Sequence, residues 1–506
     1  MPQKCIPHLL ALTAFAGLLT AEDSPTAQDA RINALERRIA ELENQVPSPK
    51  ATKEQSSPIS ASTTGSNATN GSPDPLASVM TYYGRQLPGN VYVGDQFRIQ
   101  LGGSLRLHTQ YNSTAVGESV SKALLPSETN SQEDNFRMFA SRTRLYATIQ
   151  GPDTLGGQTA GYFEIDFQRQ TSDGEGGAIS SSPRLRYAYM RWSFKDVITD
   201  SGKLRFTFGQ ADSTWDLKAS TVDTNDMNGG LGSVNRRNPR LESVISLPIA
   251  SGQDLVMGLG VERPYFGNST VGKDLGPGDL SGFPAVSLGL GYATTERLGH
   301  GFGAEKITLG ARVVYGEFDE DFSGNATNPS LVVPAQLEND FTAIAVHGGI
   351  NIQRLGFNST GNAGNVTLMI GGVWSQGDAQ HLDAGFDRRT VQQADGSLKE
   401  AHSVGGFIQP IYYLTETINF RAAFGTQVAL NDDRPAATGN FTGGDYVRHT
   451  NEQFELSAWW TPGPFTFAVA WNHTDTVWRR VDPTSLAAIE QTGTNDKFEL
   501  ITWYTF

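Results

Sequence analysis

Cysteine is almost absent. The 506-residue chain contains one, Cys5, which excludes an intrachain disulfide and any metal centre built from thiolates. Charge is scarce as well: Asp, Glu, Lys and Arg make up 18% of the residues, where about 25% is usual in soluble domains. Acids outnumber bases 53 to 39, for a net charge of −14. Neutralising phosphates needs a basic surface, so nucleic acid is excluded as a partner. Beyond the extreme N-terminus no apolar run is long enough for a membrane-spanning helix. Neither H-E-x-x-H nor G-x-S-x-G occurs. GNSTVGKD (267–274) nearly fits a phosphate loop, but Asp274 stands where a hydroxyl residue is required. DTNDMNGG (223–230) fails as a calcium loop, with Met227 at a ligand position and Val234 at the twelfth. No cofactor, metal or catalytic residue is expected.

What is present begins with a secretory signal over residues 1–21. Lys4 supplies the positive region and LLALTAFAGLLTA (9–21) the apolar core, with cleavage expected after Ala21. Residues 27–46 carry an a/d seam of Ile32, Leu35, Ile39, Leu42 and Val46, and Pro47 ends it. Arg31 and Arg38 occupy g positions, and Glu36 and Glu43 the following e positions, the spacing of interchain ion pairs in a parallel coil. Ile at a with Leu at d favours two strands by the general rule. RINALE and RIAELE, however, resemble the R-h-x-x-h-E pattern of parallel trimeric coils, and three is the number taken here. So short a coil is marginal alone and needs a trimeric body to hold it. Residues 47–75, rich in Ser, Thr, Pro and Asn, read as a flexible tether.

From Phe97 the pattern becomes short amphipathic strands, because successive strand residues point to opposite faces. FRIQLGGSLRLHTQY (97–111) sets Phe97, Ile99, Leu101, Leu105 and Leu107 against Arg98, Gln100, Ser104, Arg106 and His108. FASRTRLYATIQ (139–150), GYFEIDFQ (161–168) and KLRFTF (203–208) alternate likewise, and further runs continue to FTFAVAW (465–471). RLRYAYMRWSF (184–194) does not resolve into two faces.

Long polar segments near 112–135, 170–183, 212–239, 263–281, 317–338, 376–401, 431–452 and 474–495 alternate with seven short ones. Eight long and seven short connections join sixteen strands. The expected fold is all-β: a sixteen-stranded antiparallel transmembrane β-barrel over residues 76–506, with long loops on one rim and short turns on the other. Closure removes every sheet edge. A soluble barrel this wide would have to fill its interior, which faces of Arg, Gln, Ser, Thr, Glu and Gly cannot do. The polar face is therefore expected to line water and the oily face to meet outer-membrane lipid. Both barrel termini then lie on the short-turn, periplasmic rim, where the coil emerges near peptidoglycan. The chain closes on KFELITWYTF (497–506), which resembles the signal read by the outer-membrane insertion machinery, with Phe506 as its terminal aromatic.

The polar faces of the early strands are rich in arginine. Arg98, Arg106, Arg142, Arg144, Arg184, Arg186 and Arg205 face only Glu164 and Asp166. Low-dielectric walls focus such a field, and the guanidinium fork suits carboxylates, so small anionic solutes are the expected cargo. Segment 213–239 holds Asp216, Asp223 and Asp226, then Arg236 and Arg237, with Arg240 just beyond. It is read as a constriction loop folded inward.

A signal peptide, a short coil, a polar tether and a sixteen-stranded barrel ending in WYTF resemble the DcaP-like trimeric porins of Gram-negative bacteria. FRIQLGGSLRL, SRTRLYATIQGP, LRYAYMRW and LRFTFGQADSTW carry the local resemblance. The resemblance implies a homotrimer with three separate pores that take up organic anions such as dicarboxylates. The alternatives are a structural anchor linking membrane to cell wall through the coil, and an enzyme embedded in a barrel wall.

Overall fold

The structure, a computed structural model, describes residues 90–93, 96–114, 134–170, 181–216, 237–263, 283–299, 302–320, 339–377, 390–392, 398–430, 447–481 and 488–506. All belong to the unit Ser72–Phe506. The signal, coil and tether, including Arg31, Ile32, Leu35, Glu36, Arg38, Ile39, Leu42, Glu43 and Val46, lie outside the described residues.

Alternating sequence becomes strand throughout. In chain order the strands are β1 (Asn90–Val93), β2 (Phe97–Asn112), β3 (Asn135–Phe139), β4 (Arg144–Thr154), β5 (Gly157–Gln170), β6 (Ser181–Lys195), β7 (Lys203–Ala211), β8 (Asn238–Ala250), β9 (Gln253–Glu262) and β10 (Ala285–Thr294). There follow β11 (Lys306–Glu320), β12 (Asn339–Leu355), β13 (Val366–Gln376), β14 (Thr390–Gln392), β15 (Leu398–Glu400), β16 (His402–Tyr413), β17 (Ile418–Ala429), β18 (Val447–Trp460), β19 (Phe465–Val481) and β20 (Ala488–Thr505). β14 and β15 form a separate hairpin, and β1 pairs with the first residues of β2. The other long strands pair antiparallel in sequence order, and β20 returns to β2 from Ser104↔Thr505 to Asn112↔Lys497. The result is a closed sixteen-stranded antiparallel barrel, as the alternation of long and short connections predicts.

One strand is broken. β3 pairs with His108–Asn112 and β4 with Arg98–Ser104, so together they make one wall position interrupted at 140–143. The two-residue turn Leu155–Gly156 has positive φ at both residues (51° and 78°). Two such residues twist a hairpin in the sense its strands need.

The faces are the reverse of a soluble protein's. On β2, Leu101, Leu105 and Leu107 point outward and are exposed, Leu101 at 60%, while Ser104, Arg106, His108, Gln110 and Asn112 point inward and are buried. Aromatic rings gather outside at the short-turn rim. Trp192, Phe194, Phe206 and Phe208 form one cluster, and Trp460, Phe465, Phe467, Tyr504 and Phe506 another. Such girdles suit a membrane interface.

Three local readings change. The run 139–150 is not one alternating strand, since it breaks at 140–143 and Phe139 faces inward against His108. The eighth long segment, 474–495, is mostly strand: β19 runs to Val481 and β20 starts at Ala488. Its polarity belongs to a buried inward face, on which Thr474, Thr476 and Asn495 lie. The faces of β6 shift because the register slips between Glu164↔Tyr187 and Ile165↔Leu185, leaving Arg186 as the extra residue. A bulge puts neighbours such as Arg186 and Tyr187 on the same side.

Candidate functional site

The interior wall carries three polar assemblies. The first is an ion-pair network across β4, β5 and β6. Arg186 donates from Nε to Glu164 Oε1 (2.6 Å) and from Nη1 to Asp166 Oδ2 (2.9 Å). Arg184 grips Asp166 with both teeth of its fork, at 3.0 and 2.7 Å. Arg144 Nε lies 3.7 Å from Glu164. Three arginines thus share two carboxylates, leaving a net positive charge. Tyrosines flank the network: Tyr162 donates to Glu164 (2.6 Å) and Tyr187 to Asp212 (2.6 Å). Arg237 lies over the Tyr187 ring, 5.7 Å from its centroid.

The second assembly is the root of the third long segment. Ser213 and Thr214 donate their hydroxyls to the two oxygens of Glu242, at 2.6 and 2.7 Å. Arg205 donates to Thr214 Oγ1 (2.7 Å). Asp216 accepts from the Ser213 backbone (3.0 Å) and lies 3.6 Å from Arg312 and 3.8 Å from His347. Arg312 also reaches Glu262 (2.6 Å), which holds Arg240 at 3.0 Å. Here three carboxylates share two arginines. Trp215 lies over Gly258, Gly289, Gly291 and Gly310, where a Cβ on any of the four would collide with the indole or press hard against it. The glycines make a floor on β9, β10 and β11, and the indole lies on it. Segment 213–216 therefore runs along the inside of the barrel.

The third assembly is aromatic and cationic. The Arg106 guanidinium sits over Trp503 (4.9 Å), Trp503 meets Trp459 edge-on (5.5 Å), and Arg421 sits over Trp459 (3.7 Å). Small inward residues on β19, Ala468 and Ala470, pack in the same cluster. Arg142 projects from the break between β3 and β4, with its guanidinium 5.3 Å from the Phe139 centroid.

These positions sort the residues singled out from sequence. Arg106, Arg142, Arg144, Arg186 and Arg205 are all buried on the inner wall. Arg98 is exposed near the start of β2, where it donates to Gln150 (3.4 Å). Asp216 and Arg237 flank the third segment, and Arg240 is a wall residue of β8 rather than part of the loop. Asp223, Asp226 and Arg236 lie outside the described residues. The sequence places His108 on a polar face without a role, and singles out neither Glu242, Glu262, Trp215 nor the wall tyrosines. PRLESVI does alternate Arg240 and Glu242 with apolar residues, and that signal was readable.

A closed barrel, greasy outside and polar inside, with a loop root bound to its inner wall, has the architecture of a porin. No family model matches the chain, and no curated protein matches it. Among solved structures it is similar to the outer membrane channel DcaP of Acinetobacter baumannii, at a TM-score of 0.57 and 16% identity, covering 82% of this chain and 99% of that one. It is also similar to the anion-selective porin from Comamonas acidovorans (TM-score 0.45, 7% identity, 81% of this chain and 100% of that one). OmpT of Vibrio cholerae gives 0.42 and 10%, covering 82% and 100%. Of these three the DcaP channel is near enough to carry the fold assignment, and at such identity the likeness is one of fold.

Proposed function

We propose that this chain is an outer-membrane porin, a passive and non-enzymatic channel for small hydrophilic solutes that prefers organic anions such as dicarboxylates. The observation that carries the reading is the inner wall of β2–β7. Arg106, Arg142, Arg144, Arg186 and Arg205 all lie there, and Glu164 and Asp166 offset only part of their charge. Fixed guanidinium groups on a low-dielectric wall raise the local concentration of anions. In this reading the chain is exported by its signal peptide and inserted through its Phe506 signal. It assembles as a homotrimer, with residues 27–46 as a periplasmic coil near peptidoglycan and segment 213–239 as the constriction.

Planar-bilayer recording tests the proposal. Current steps in groups of three, with a reversal potential in a KCl gradient that favours chloride, are the expected result. Cation preference refutes the arginine-wall reading. Deleting residues 27–46 assigns trimerisation: trimers that persist place it in the barrel, and trimers that vanish place it in the coil. A second reading, a structural anchor with a closed interior, draws on the full burial of inward polar side chains such as Glu455 and Asn472. Silence in bilayers from folded protein favours the anchor.

A further inference from the structure

The break between β3 and β4 gathers positive charge around one histidine. Thr143 N donates to Ala140 O (3.0 Å), closing a turn that carries Ser141 and Arg142. Arg106 N, facing the gap, donates to Thr143 Oγ1 (3.2 Å) in place of a ladder partner. His108, two residues along β2 on the same inward face, stacks on Phe139 with centroids 5.1 Å apart and planes 19° from parallel. Arg142 lies over the same Phe139 ring. Arg106, Arg142, Arg144 and Lys497 all act electrostatically on His108.

His108 is 1% exposed, and neither ring nitrogen has a hydrogen-bond partner among the described residues. A neutral imidazole has one N–H donor and one bare acceptor nitrogen. Leaving such groups buried and unpaired is costly. A cation is repelled by Arg106 and Arg142, while Arg144 and Lys497 are offset by Glu164 (3.7 Å) and Glu499 (3.1 Å). An apolar group leaves the nitrogens unpaired. A carboxylate oxygen accepts the His108 N–H while the guanidinium groups offset its charge, and charge-assisted bonds of this kind are the strong ones.

We infer that His108, with Arg106 and Arg142, forms a binding site for the carboxylate group of a permeating anion. The inference rests on the anion-preferring pore proposed above and adds a specific stopping point within it.

The test uses full-length folded protein with labelled histidine nitrogens, titrated with acetate at constant ionic strength. Acetate is expected to move the His108 signal, identified by its absence in H108Q, to a saturating limit that chloride does not reproduce. In bilayers, current-noise analysis of acetate should give a half-saturation that rises about tenfold in H108L, the loss of one charge-assisted hydrogen bond. H108Q, which keeps an N–H donor, should recover most of it. An unmoved His108 signal overturns the site, as does a shift that chloride reproduces. An H108L half-saturation equal to wild type, in protein whose heat-modifiable gel mobility shows it folded, overturns it too. The wild-type reversal potential in KCl separately reports the pore reading, so anion preference without saturable acetate binding fails the site alone.

Discussion

Gly103 and Phe506 close the barrel by exchanging two backbone hydrogen bonds, of 3.0 and 3.1 Å. The Phe506 ring lies against Gly103, where a Cβ would stand 2.7 Å from Phe506 Cζ and 2.6 Å from the Arg144 carbonyl oxygen. Gly103→Val is therefore expected to lower stability by about 1–3 kcal/mol through overpacking. The readout is the temperature at which the folded band is lost in heat-modifiable electrophoresis. Phe506→Ala keeps the backbone bonds and should cost less. Equal losses would mean that the ring, not the seam, carries the effect.

Trp215→Ala should release the loop root from its glycine floor. Single-channel conductance is expected to rise, and Gly289→Val, which fills the floor from below, should raise it as well. Trp215→Phe keeps a flat ring and should stay near wild type. Unchanged conductance in both opening variants would show that segment 213–239 does not set the narrowest point.

Arg186→Met removes the residue that bridges two buried carboxylates. Breaking a buried pair from one side typically costs about 3–5 kcal/mol. Denaturation midpoints of the refolded protein should fall accordingly. Adding Glu164→Gln and Asp166→Asn should lower them further, since Arg144 and Arg184 then lose the carboxylates they share. A single variant as stable as wild type would show that Arg144 and Arg184 suffice.

Neutralising Glu164 and Asp166 in the wild-type background should instead strengthen chloride preference, measured as a larger reversal potential in a KCl gradient. Arg106→Ala with Arg142→Ala should weaken it. If neither pair of changes moves the potential, the field of β2–β7 does not govern selectivity.

The strands and their number were legible because alternation is a local property. Leu101 and Arg106 declare their faces from sequence alone, and each lies as expected. RLRYAYMRWSF resisted because its bulge is defined by a partner strand, at Glu164, that the segment itself does not contain. Residues 474–495 misled for a different reason. Thr474, Thr476 and Asn495 are polar because they face the interior, and polarity alone does not separate an inward wall from a loop. Arginine pairing was hidden as well. Arg240 meets Glu262 across a hairpin, and Arg312 meets Asp216 across nearly a hundred residues of chain. The coil expected over residues 27–46 lies outside the described residues.

A floor of glycine has no side chains with which to interlock. Dispersion presses the Trp215 ring down against it, and Val244, Val256 and Ala293, packed against the indole, border the floor. Position along the wall is set jointly by that border and by the anchors on either side of the ring, Ser213 and Thr214 on Glu242 and Asp216 beside Arg312. The arrangement works as a shallow socket with charged stops: a change at the stops can tilt the loop root without unseating the ring.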